Sequence, residues 1–250
     1  MALVAFSGGV DSTLLSFVAH QVLQDKMLTV IGVSPSSPKK DIQCALDFCK
    51  KFDIPYQLLE THEMENPNYN ENPSNRCYFC KTELYQQINL LADKKGYHYI
   101  FDGTNFSDLK DYRPGRKAAH EQKVHSPFVE AEMTKDDIRQ LSFTLGLSDA
   151  DRPASPCLSS RVPYGEPITI EKLSQIDQGE EYLRTLGFKE FRLRHHDKMA
   201  RIELESSELT MAMGKRDEIV AELKKLGFQY ITIDLEGFRS GRMNEVIFKT

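Results

Sequence analysis

The feature that most constrains the fold is a glycine-containing segment, Ser7–Thr13, that directly follows the apolar run Leu3–Phe6. The apolar run, the glycine turn and the helix-like segment Thr13–Ala19 predict a strand, a loop and a helix in immediate succession. In this arrangement the free N–H groups and the positive dipole end of the helix converge on one point, where an anion is stabilised. The segment lacks the lysine of the Walker motif, so it is not a P-loop nucleotide site.

The individual residues of this loop suit the capture of a phosphate. Gly8 and Gly9 let the backbone approach an anion closely, because neither carries a Cβ atom. Ser7 and Ser12 add hydroxyl donors, and Asp11 offers a carboxylate that could hold Mg²⁺ or orient the loop. The alternative is a tight turn from strand to helix with a serine cap, which we favour less because every position suits an anion.

Composition limits the class of protein. A chain of 250 residues can form one large domain or two smaller ones. The net charge of −5 argues against a broad nucleic-acid surface, because such binding depends on neutralising phosphates. Since no apolar run reaches ~18 residues and no leader pattern precedes the first strand, we expect a cytoplasmic protein with no membrane partner. Five cysteines in such a chain indicate thiol, metal or redox chemistry rather than a disulfide framework.

Strand and helix patterns alternate through the first part of the chain. Strands are predicted at Leu28–Val33, Pro55–Leu59, Tyr97–Phe101 and Val124–Val129, and helices around Cys44–Cys49 and over Tyr78–Lys94 and Thr134–Leu145. This alternation predicts a parallel sheet covered on both faces, with ligands at the carboxyl ends of the strands. The region Glu63–Asn75, rich in Asn, Glu and Pro, is predicted to be a surface loop.

The pattern changes after a proline-rich stretch at residues 148–167. Beyond it we expect, in order, a helix, two strands, a helix and a strand at Ile168–Leu186, Phe188–His195, Met199–Glu205, Glu208–Leu226 and Gln229–Leu235. We therefore predict an α/β fold with a doubly wound parallel sheet in residues 1–147 and a smaller α+β domain of antiparallel character in residues 168–250. The stretch 148–167 is predicted to be a linker that carries Cys157.

Three of the cysteines lie in segments suited to chemistry. Cys77 and Cys80 form a C-x-x-C where a helix is predicted to begin, so the helix end favours thiolates and the spacing directs both sulfurs to one centre. Cys157 lies in an arginine-flanked loop rich in proline, where we expect an accessible thiol. Together these residues suggest three thiolates for one centre. Cys44 and Cys49, on an amphipathic helix, fit small apolar packing residues.

Five segments together resemble the LarE family, the ATP-dependent sulfur-insertion enzymes that build the nickel-pincer nucleotide cofactor of lactate racemase. They are SGGVDST at 7–13, NRCYFCK at 75–81, DGTNFSDLKDYRPG at 102–115, RPASPCLSSR at 152–161 and GFRSGRMNE at 237–245. The first also resembles the pyrophosphate loop of the ATP pyrophosphatases, which include NAD synthetase, GMP synthetase and tRNA-thiolating enzymes. The resemblance implies an adenine nucleotide alpha hydrolase-like fold, a second domain for substrate binding and oligomerisation, and a homo-oligomer, hexameric in known members.

The resemblance also implies a reaction on pyridinium-3,5-biscarboxylic acid mononucleotide. Its carboxylate attacks the α-phosphate of ATP to give an acyl adenylate and pyrophosphate, and a sulfur nucleophile then displaces AMP to leave a thiocarboxylate. Family members with one cysteine at the position of Cys157 give up its sulfur, whereas members with three hold a [4Fe–4S] cluster that carries an exogenous sulfide. The three cysteines of this chain favour the cluster. Zinc, or no metal and a sacrificial Cys157, are the alternatives.

Several further roles come from the resemblance, while the sequence pattern alone also fits simpler explanations. The adenine and ribose would be held by the turn Asp102–Asn105, which by pattern is a turn that ends a strand. Nucleotide-binding roles would fall to Gly103, Thr104, Asn105, Lys81 and Arg113. The pattern alone makes Lys81 an exposed helix lysine and Arg113 part of a helix-capping loop. Mg²⁺ would be held by Asp11 and Glu181, although Glu180 is an equal candidate by pattern.

The segment Phe191–His196 alternates apolar and basic residues, so Arg192 and Arg194 share one face of a predicted strand. Two guanidinium groups on one face make a good phosphate clamp, and the alternative is a solvated strand face. The resemblance implies that these arginines bind the substrate phosphate, with Arg239 as a third contact. His195 and the histidine that follows it are predicted to be structural.

Two other functions compete with sulfur insertion into a small nucleotide. A tRNA thiolase would share the phosphate loop, but it needs a broad basic surface that the net charge does not favour. A nucleotide-binding regulatory module would use the second domain as a sensor, and a reactive Cys157 argues against it. We therefore expect an enzyme whose partners are ATP, a nucleotide carboxylate and a sulfide donor.

Overall fold

The computed structural model describes residues 1–111, 113–147, 156–239 and 241–244. Its contacts divide the chain into two compact units, of which the first contains residues 1–69 and 75–156. The second contains residues 70–74 and 157–250. This division differs from the predicted boundaries, because residues 157–167 of the expected linker and residues 70–74 of the expected loop belong to the second unit. Residues 148–155, with the first part of the RPASPC segment, lie outside the described residues.

Strands and helices alternate along the first unit, as predicted. Its strands are β1 (Ala2–Phe6), β2 (Met27–Val33), β3 (Tyr56–Glu60) and β4 (Tyr99–Phe101). Its helices are α1 (Val10–Leu23), α2 (Lys39–Lys51), α3 (Pro67–Asn70), α4 (Arg76–Lys95), α5 (Gly115–Glu121), α6 (Pro127–Glu130) and α7 (Lys135–Thr144). Short 3₁₀ segments lie at Gln24–Lys26, Glu63–Glu65 and Phe106–Lys110.

The four strands form a parallel sheet in the order β3-β2-β1-β4, with β1 between β2 and β4. Along β1, Val4 and Phe6 pack in a core with α1, α2 and α7, while Leu3 and Ala5 pack in a second core with α4 and α5. Both faces of the sheet are therefore covered, which confirms the predicted doubly wound architecture. Because the strand order reverses beside β1, the chain segments after β1 and β4 leave the sheet next to each other.

Two predictions for the first unit need correction. The predicted strand Val124–Val129 is wrong, since only His125 makes a bridge, to Phe101, and Pro127 opens α6. Proline has no N–H to donate to a ladder and its fixed φ suits the first position of a helix, so the segment cannot continue as a strand. The predicted surface loop Glu63–Asn75 contains α3 and a 3₁₀ turn, and its Glu63 is buried.

The second unit consists of a mixed sheet with helices on one face. It contains the 3₁₀ segment Leu158–Arg161, α8 (Ile170–Thr185), β5 (Phe191–His196), β6 (Met199–Leu204), a 3₁₀ turn at Ser206–Glu208, α9 (Leu209–Gly214), α10 (Arg216–Lys225), β7 (Tyr230–Ile233) and a 3₁₀ turn at Arg242–Asn244. Strands β5 and β6 are antiparallel, as predicted, but β6 and β7 are parallel. The single helix predicted at 208–226 is wrong, because it is interrupted between α9 and α10 beside Gly214, a poor helix former.

Alternation along β5 separates its apolar and basic residues. Phe191 and Leu193 pack with α8 and α10 in the core of the second unit, together with Ile202 and Leu204 of β6. Residues of the other parity therefore face away from this core. In register, Arg192 of β5 lies opposite Glu203 of β6, and Arg194 opposite Arg201.

Candidate functional site

The loop that follows β1 is closed by the hydroxyl of Ser12. This hydroxyl accepts a hydrogen bond from the Ser7 amide (3.2 Å) and donates one to the Gly9 carbonyl (3.0 Å). Gly8 has a φ of +73°, where a side chain would be strained, whereas Gly9 is extended and precedes the first residue of α1. The structure thus confirms the predicted strand, loop and helix, with Ser7 and Gly9 exposed at the loop surface.

The turn that follows β4 lies against this loop. A Cβ atom added to Gly103 would stand 2.8 Å from the amide nitrogen of Ser12, so a glycine is needed for this approach. Asp102 accepts hydrogen bonds from the amide (3.1 Å) and hydroxyl (2.9 Å) of Thr104, which close the turn. The structure therefore brings the predicted phosphate loop and the predicted adenine-binding turn together.

Asn105 links the two segments directly. Its side-chain nitrogen donates to Asp11 (3.1 Å), and its side-chain oxygen accepts from the amide of Asp108 (3.1 Å) at the start of the 3₁₀ segment Phe106–Lys110. Asp108 is buried and lies 2.8 Å from Arg113, one of the residues that the resemblance assigns to nucleotide binding. Burial raises the pKa of the Asp108 carboxyl, and the positive charge of Arg113 opposes this effect. The guanidinium group of Arg113 is thus engaged in an ion pair with a buried carboxylate.

Lys135 is a member of this cluster that the sequence analysis did not identify. Its Nζ atom donates to Asp11 Oδ2 at 2.5 Å, and its amide donates to the hydroxyl of Ser107 (3.1 Å). Lys135 is the first residue of α7, which begins with a capping box formed by Thr134 and Asp137. That capping box is visible in the sequence and could have placed Lys135 at the carboxyl edge of the sheet.

The predicted cysteine pair lies at the beginning of α4. Cys77 is exposed in the first turn and Cys80, three residues later, is half-buried. Residues three apart on a helix lie on the same side, so the two cysteines share one side of α4. Across the described ranges, no three Cys, His, Asp or Glu side chains are grouped so as to hold a metal ion.

Contacts with α5 and within α4 fix the helix that carries these cysteines. The hydroxyl of Tyr78 donates to Glu121 (2.7 Å) on α5. The stem of Lys81 packs against Gly115, where an added Cβ atom would stand 2.9 Å from Lys81 Cγ. The Lys81 ammonium group lies 5.4 Å from the centre of the Tyr85 ring, in a cation–π geometry. Lys81 is therefore engaged within its own helix, and its predicted contact with the α-phosphate stays a prediction.

Cys157 lies in the second unit, directly before a turn that contains one partner of a buried ion pair. It is half-buried, and its carbonyl accepts hydrogen bonds from the Ser160 amide (3.0 Å) and from Arg161 (3.1 Å). Arg161 also makes two hydrogen bonds with Glu180, at 2.9 and 3.0 Å, and both side chains are only 2% exposed. Although burial alone would raise the pKa of Glu180, the charge and hydrogen bonds of Arg161 outweigh it and lower that pKa. This pair anchors the 3₁₀ turn that follows Cys157.

Both arginines of β5 have protein partners. Arg194 is buried and donates to Glu203 (2.7 Å) and to the Ser160 carbonyl (2.8 Å). Arg192 is half-buried, donates to the Phe191 carbonyl (2.7 Å) and lies 4.9 Å from the centre of the Phe238 ring. Burial is the main cause that lowers its pKa to about 10; the charges of Arg161 and Arg194 lower it further, and the carboxylates of Glu180 and Glu203 oppose them. Two carboxylates therefore already balance part of the positive charge around Arg192.

The other predicted site residues of the second unit have protein partners near them. Arg239 is exposed and lies 3.2 Å from Glu236, and Glu181 is exposed and lies 2.8 Å from Arg184. His195 is buried, with its ring nitrogen 2.8 Å from the side chain of Gln175. Burial lowers the pKa of His195 to about 4, so this residue is neutral at physiological pH, in keeping with the structural role predicted for it.

Comparisons with known proteins cover nearly the whole chain. Residues 1–88 match the NAD synthase family. The chain is 46% identical to an uncharacterized protein of Synechocystis over 99% of its length and 93% of that protein. It is 36% identical to the pyridinium-3,5-bisthiocarboxylic acid mononucleotide synthase of Lactiplantibacillus plantarum, over 98% of this chain and 90% of the synthase. A more distant relative, an uncharacterized protein of Methanocaldococcus jannaschii, is 29% identical over 95% of this chain and 90% of its own length.

Among the helices that the structure describes, none combines the length and apolar character needed to cross a bilayer.

Proposed function

Since the chain belongs to the LarE family, we propose that it converts a carboxylate of pyridinium-3,5-biscarboxylic acid mononucleotide into a thiocarboxylate. The chain is an ATP-using enzyme that forms AMP and pyrophosphate. The observation that carries the proposal is the match to the Lactiplantibacillus plantarum synthase, which extends through both units rather than over the phosphate loop alone.

The first step joins the substrate carboxylate to AMP. A carboxylate oxygen attacks the α-phosphorus of ATP, the bond to the bridging oxygen breaks, and pyrophosphate leaves with that oxygen. The exposed Gly9 and the beginning of α1 suit the leaving pyrophosphate, because the first turn of a helix offers N–H donors and a positive end. The turn at Gly103 and Thr104 would hold the nucleoside beside this loop.

Asp11 and Lys135 would have different roles at this site, one toward Mg²⁺ and the other toward a phosphate. Asp11 supplies a carboxylate oxygen of the kind that Mg²⁺ accepts together with phosphate oxygens, so the residues present fit this ion. When bound, Mg²⁺ would neutralise charge on the departing phosphates. An ammonium group released from Asp11 would then be free to donate to the β- or γ-phosphate. Lys135, 32% exposed, has the room to make this exchange. Glu181 as a second magnesium ligand stays a prediction.

The second step replaces AMP with sulfur. With sulfide as nucleophile, its sulfur attacks the acyl carbon, the bond to the AMP oxygen breaks, and AMP leaves. In the alternative route the Cys157 thiolate forms a thioester with loss of AMP. A base then removes the Cα proton of Cys157, and its Cβ–S bond breaks to leave a thiocarboxylate and dehydroalanine. Both routes balance without an added oxidant or reductant.

We favour sulfide held on an iron–sulfur cluster. The support is the residue type and number, because Cys77 and Cys80 at the beginning of α4 would supply two thiolates and Cys157 the third, although the described residues do not group these three side chains. A [4Fe–4S] cluster held by three thiolates has one open iron, which can carry a sulfide. Zinc is compatible with the same three ligands and would supply no sulfur.

The second unit would bind the phosphate of the mononucleotide. Arg192 suits this role, since it is a half-buried guanidinium on the strand face that lies away from the core of the second unit. The guanidinium of Arg194 is paired with Glu203. Arg194 would therefore act on the phosphate through its positive charge beside Arg192 as much as through a direct contact. Arg239 as a third contact, assembly into a homo-oligomer and residence in the cytoplasm stay predictions from the family resemblance.

The proposal is tested by following all products of one reaction. The full chain, purified without oxygen, is mixed with ATP, Mg²⁺, the biscarboxylic mononucleotide and sulfide, and products are measured by mass spectrometry. We expect AMP, pyrophosphate and a thiocarboxylate product in equal amounts. Cys157→Ala should still release pyrophosphate but form no thiocarboxylate. Release of AMP that requires tRNA instead of the mononucleotide would overturn the proposal.

A further inference from the structure

Asp102 is a buried carboxylate with donors from three parts of the first unit. Besides the two hydrogen bonds from Thr104, it accepts one from the hydroxyl of Ser126 (2.7 Å) and one from the hydroxyl of Tyr85 (2.9 Å). Asp102 is 6% exposed and begins the turn that lies against the phosphate loop at Ser12. Its four hydrogen bonds therefore determine where this turn stands.

Tyr85 lies on the same helix as the cysteine pair. It is 1% exposed, five residues after Cys80 on α4, and under the ammonium group of Lys81. The pKa of the Tyr85 phenol is raised well above its usual value, and burial is the largest cause. The charge of Asp102, its hydrogen bond and the charge of Cys80 raise the pKa further. The phenol thus bonds to Asp102 (2.9 Å) from the helix whose first turns carry Cys77 and Cys80.

We propose that the hydroxyl of Tyr85 is a positioning group that couples the nucleotide turn to the C-x-x-C end of α4. The inference deepens the proposed function and rests on it, since it assumes that ATP binds at the turn. A nucleotide that fixes the turn fixes Asp102, which through Tyr85 holds α4 and the Cys80 thiol. Ordering of the thiol end would then accompany binding of ATP, and by reciprocity thiol occupancy would alter the affinity for ATP.

Three hydroxyl deletions separate this role from simpler ones. Tyr85→Phe removes the donor that joins α4 to Asp102. Ser126→Ala removes a donor to the same carboxylate from a segment without cysteines. Tyr78→Phe removes a tyrosine hydroxyl that lies on α4 between the two cysteines but bonds to Glu121 of α5. Only the first variant interrupts the connection between the turn and the thiols.

The experiment measures alkylation of Cys80 by iodoacetamide in the reduced, iron-free full chain, with peptides quantified by mass spectrometry. Each protein is measured with and without saturating Mg²⁺ and the α,β-methylene analogue of ATP, whose binding is determined separately by calorimetry. In the wild type the analogue should slow alkylation of Cys80 about fivefold or more, the lower end of typical coupling between sites. The effect should vanish in Tyr85→Phe at saturation and persist in Ser126→Ala and Tyr78→Phe.

Each outcome bears on a defined claim. An unchanged nucleotide effect in Tyr85→Phe would overturn the inference, because the analogue would then shield Cys80 directly. Binding of the analogue to the wild type without any change at Cys80 would overturn the inference and leave the proposed function intact. Failure of the wild type to bind the analogue would overturn both. Should Tyr85→Phe not fold, amide exchange in the wild type decides, since protection confined to residues 102–105 and absent from 76–85 contradicts the coupling.

Discussion

The ammonium group of Lys135 lies 2.5 Å from Asp11 Oδ2, although 124 residues separate the two in the chain. The pair joins the first turn of α7 to the first turn of α1, beside the phosphate loop. Asn105 occupies the other oxygen of the same carboxylate. A cation is therefore held in place where the phosphates of ATP would enter, in a chain whose loop lacks the Walker lysine.

Replacing Lys135 tests whether this cation serves ATP. Lys135→Met keeps the apolar stem but removes a charge-assisted hydrogen bond of ~1.5–3 kcal/mol, so pyrophosphate release should fall by about 10- to 100-fold. The measurement is the initial rate of pyrophosphate formation at saturating substrate. Lys110→Met, at an exposed position of the neighbouring 3₁₀ segment, is the matched control and should retain the wild-type rate. Equal rates for Lys135→Met and the wild type would confine the lysine to a structural role.

The two loop glycines should fail in different ways when substituted. A Cβ atom on Gly9 would meet only Ser7 Oγ, at 3.6 Å, and Gly9 is extended, so Gly9→Val should fold normally but block the approach of phosphate. Gly8 has a φ of +73°, so Gly8→Ala should lower the free energy of unfolding by roughly 1–2 kcal/mol. Pyrophosphate release and urea unfolding of each variant provide the two readouts. Pyrophosphate release retained by Gly9→Val would remove this loop from the active site.

Local sequence signals predicted most of the fold because its elements are strongly patterned. The run Leu3–Phe6 and the alternation after it sufficed to predict a parallel sheet, and the C-x-x-C was correctly placed at the beginning of a helix. The prediction was wrong at Val124–Val129, where Pro127 outweighs an apolar pattern. It was also wrong at the break beside Gly214, because a helical pattern of apolar residues continues across it.

The side-chain partners of the site could not be predicted in the same way. The pairing of Lys135 with Asp11 depends on how α7 packs against α1, and periodicity carries no information about that contact. Likewise, the alternation along β5 placed Arg192 and Arg194 on one face, but only the register with β6 shows Glu203 beside them. Motifs thus identified the backbone at the site, whereas the ion pairs needed the tertiary structure.

The ion pair of Arg161 and Glu180 should stabilise the second unit in a pH-dependent way. The pKa of Glu180 is lowered on folding, so its contribution is present at neutral pH and is lost as the pH falls below about 4.3 and through the lower folded value. Glu180→Gln strands a buried guanidinium and should cost ~3–5 kcal/mol at pH 7 in urea unfolding. Glu181→Gln, one residue away and exposed, should cost ~1 kcal/mol or less. Equal losses for the two variants would contradict this assignment.

Arg192 should contribute to binding of the substrate phosphate. Arg192→Ala should weaken binding of the mononucleotide about tenfold or more and leave the affinity for ATP unchanged. Arg216→Ala, an exposed arginine on α10, is the control for a general loss of positive charge. Arg194 is unsuitable for this test, because its removal would strip Glu203 of a buried partner. A parallel loss of ATP affinity in Arg192→Ala would assign Arg192 to the nucleotide site or to folding.

Replacing one cysteine of the C-x-x-C distinguishes the two sources of sulfur. If Cys77 and Cys80 hold a cluster with Cys157, protein purified without oxygen should show a broad brown absorption, and the enzyme should turn over repeatedly when sulfide is supplied. Cys77→Ala should then abolish both the colour and the thiocarboxylate product, while pyrophosphate release continues.

Cys44→Ala is the matched control, since this half-buried cysteine on α2 lies in the same unit and should change neither property. A sacrificial Cys157 predicts the opposite pattern. Its signature is one product per chain, loss of H₂S at Cys157 in the intact mass, and normal single turnover by Cys77→Ala. That result would leave the adenylation step standing, because the phosphate loop, Asp11 and Lys135 do not depend on the cysteines.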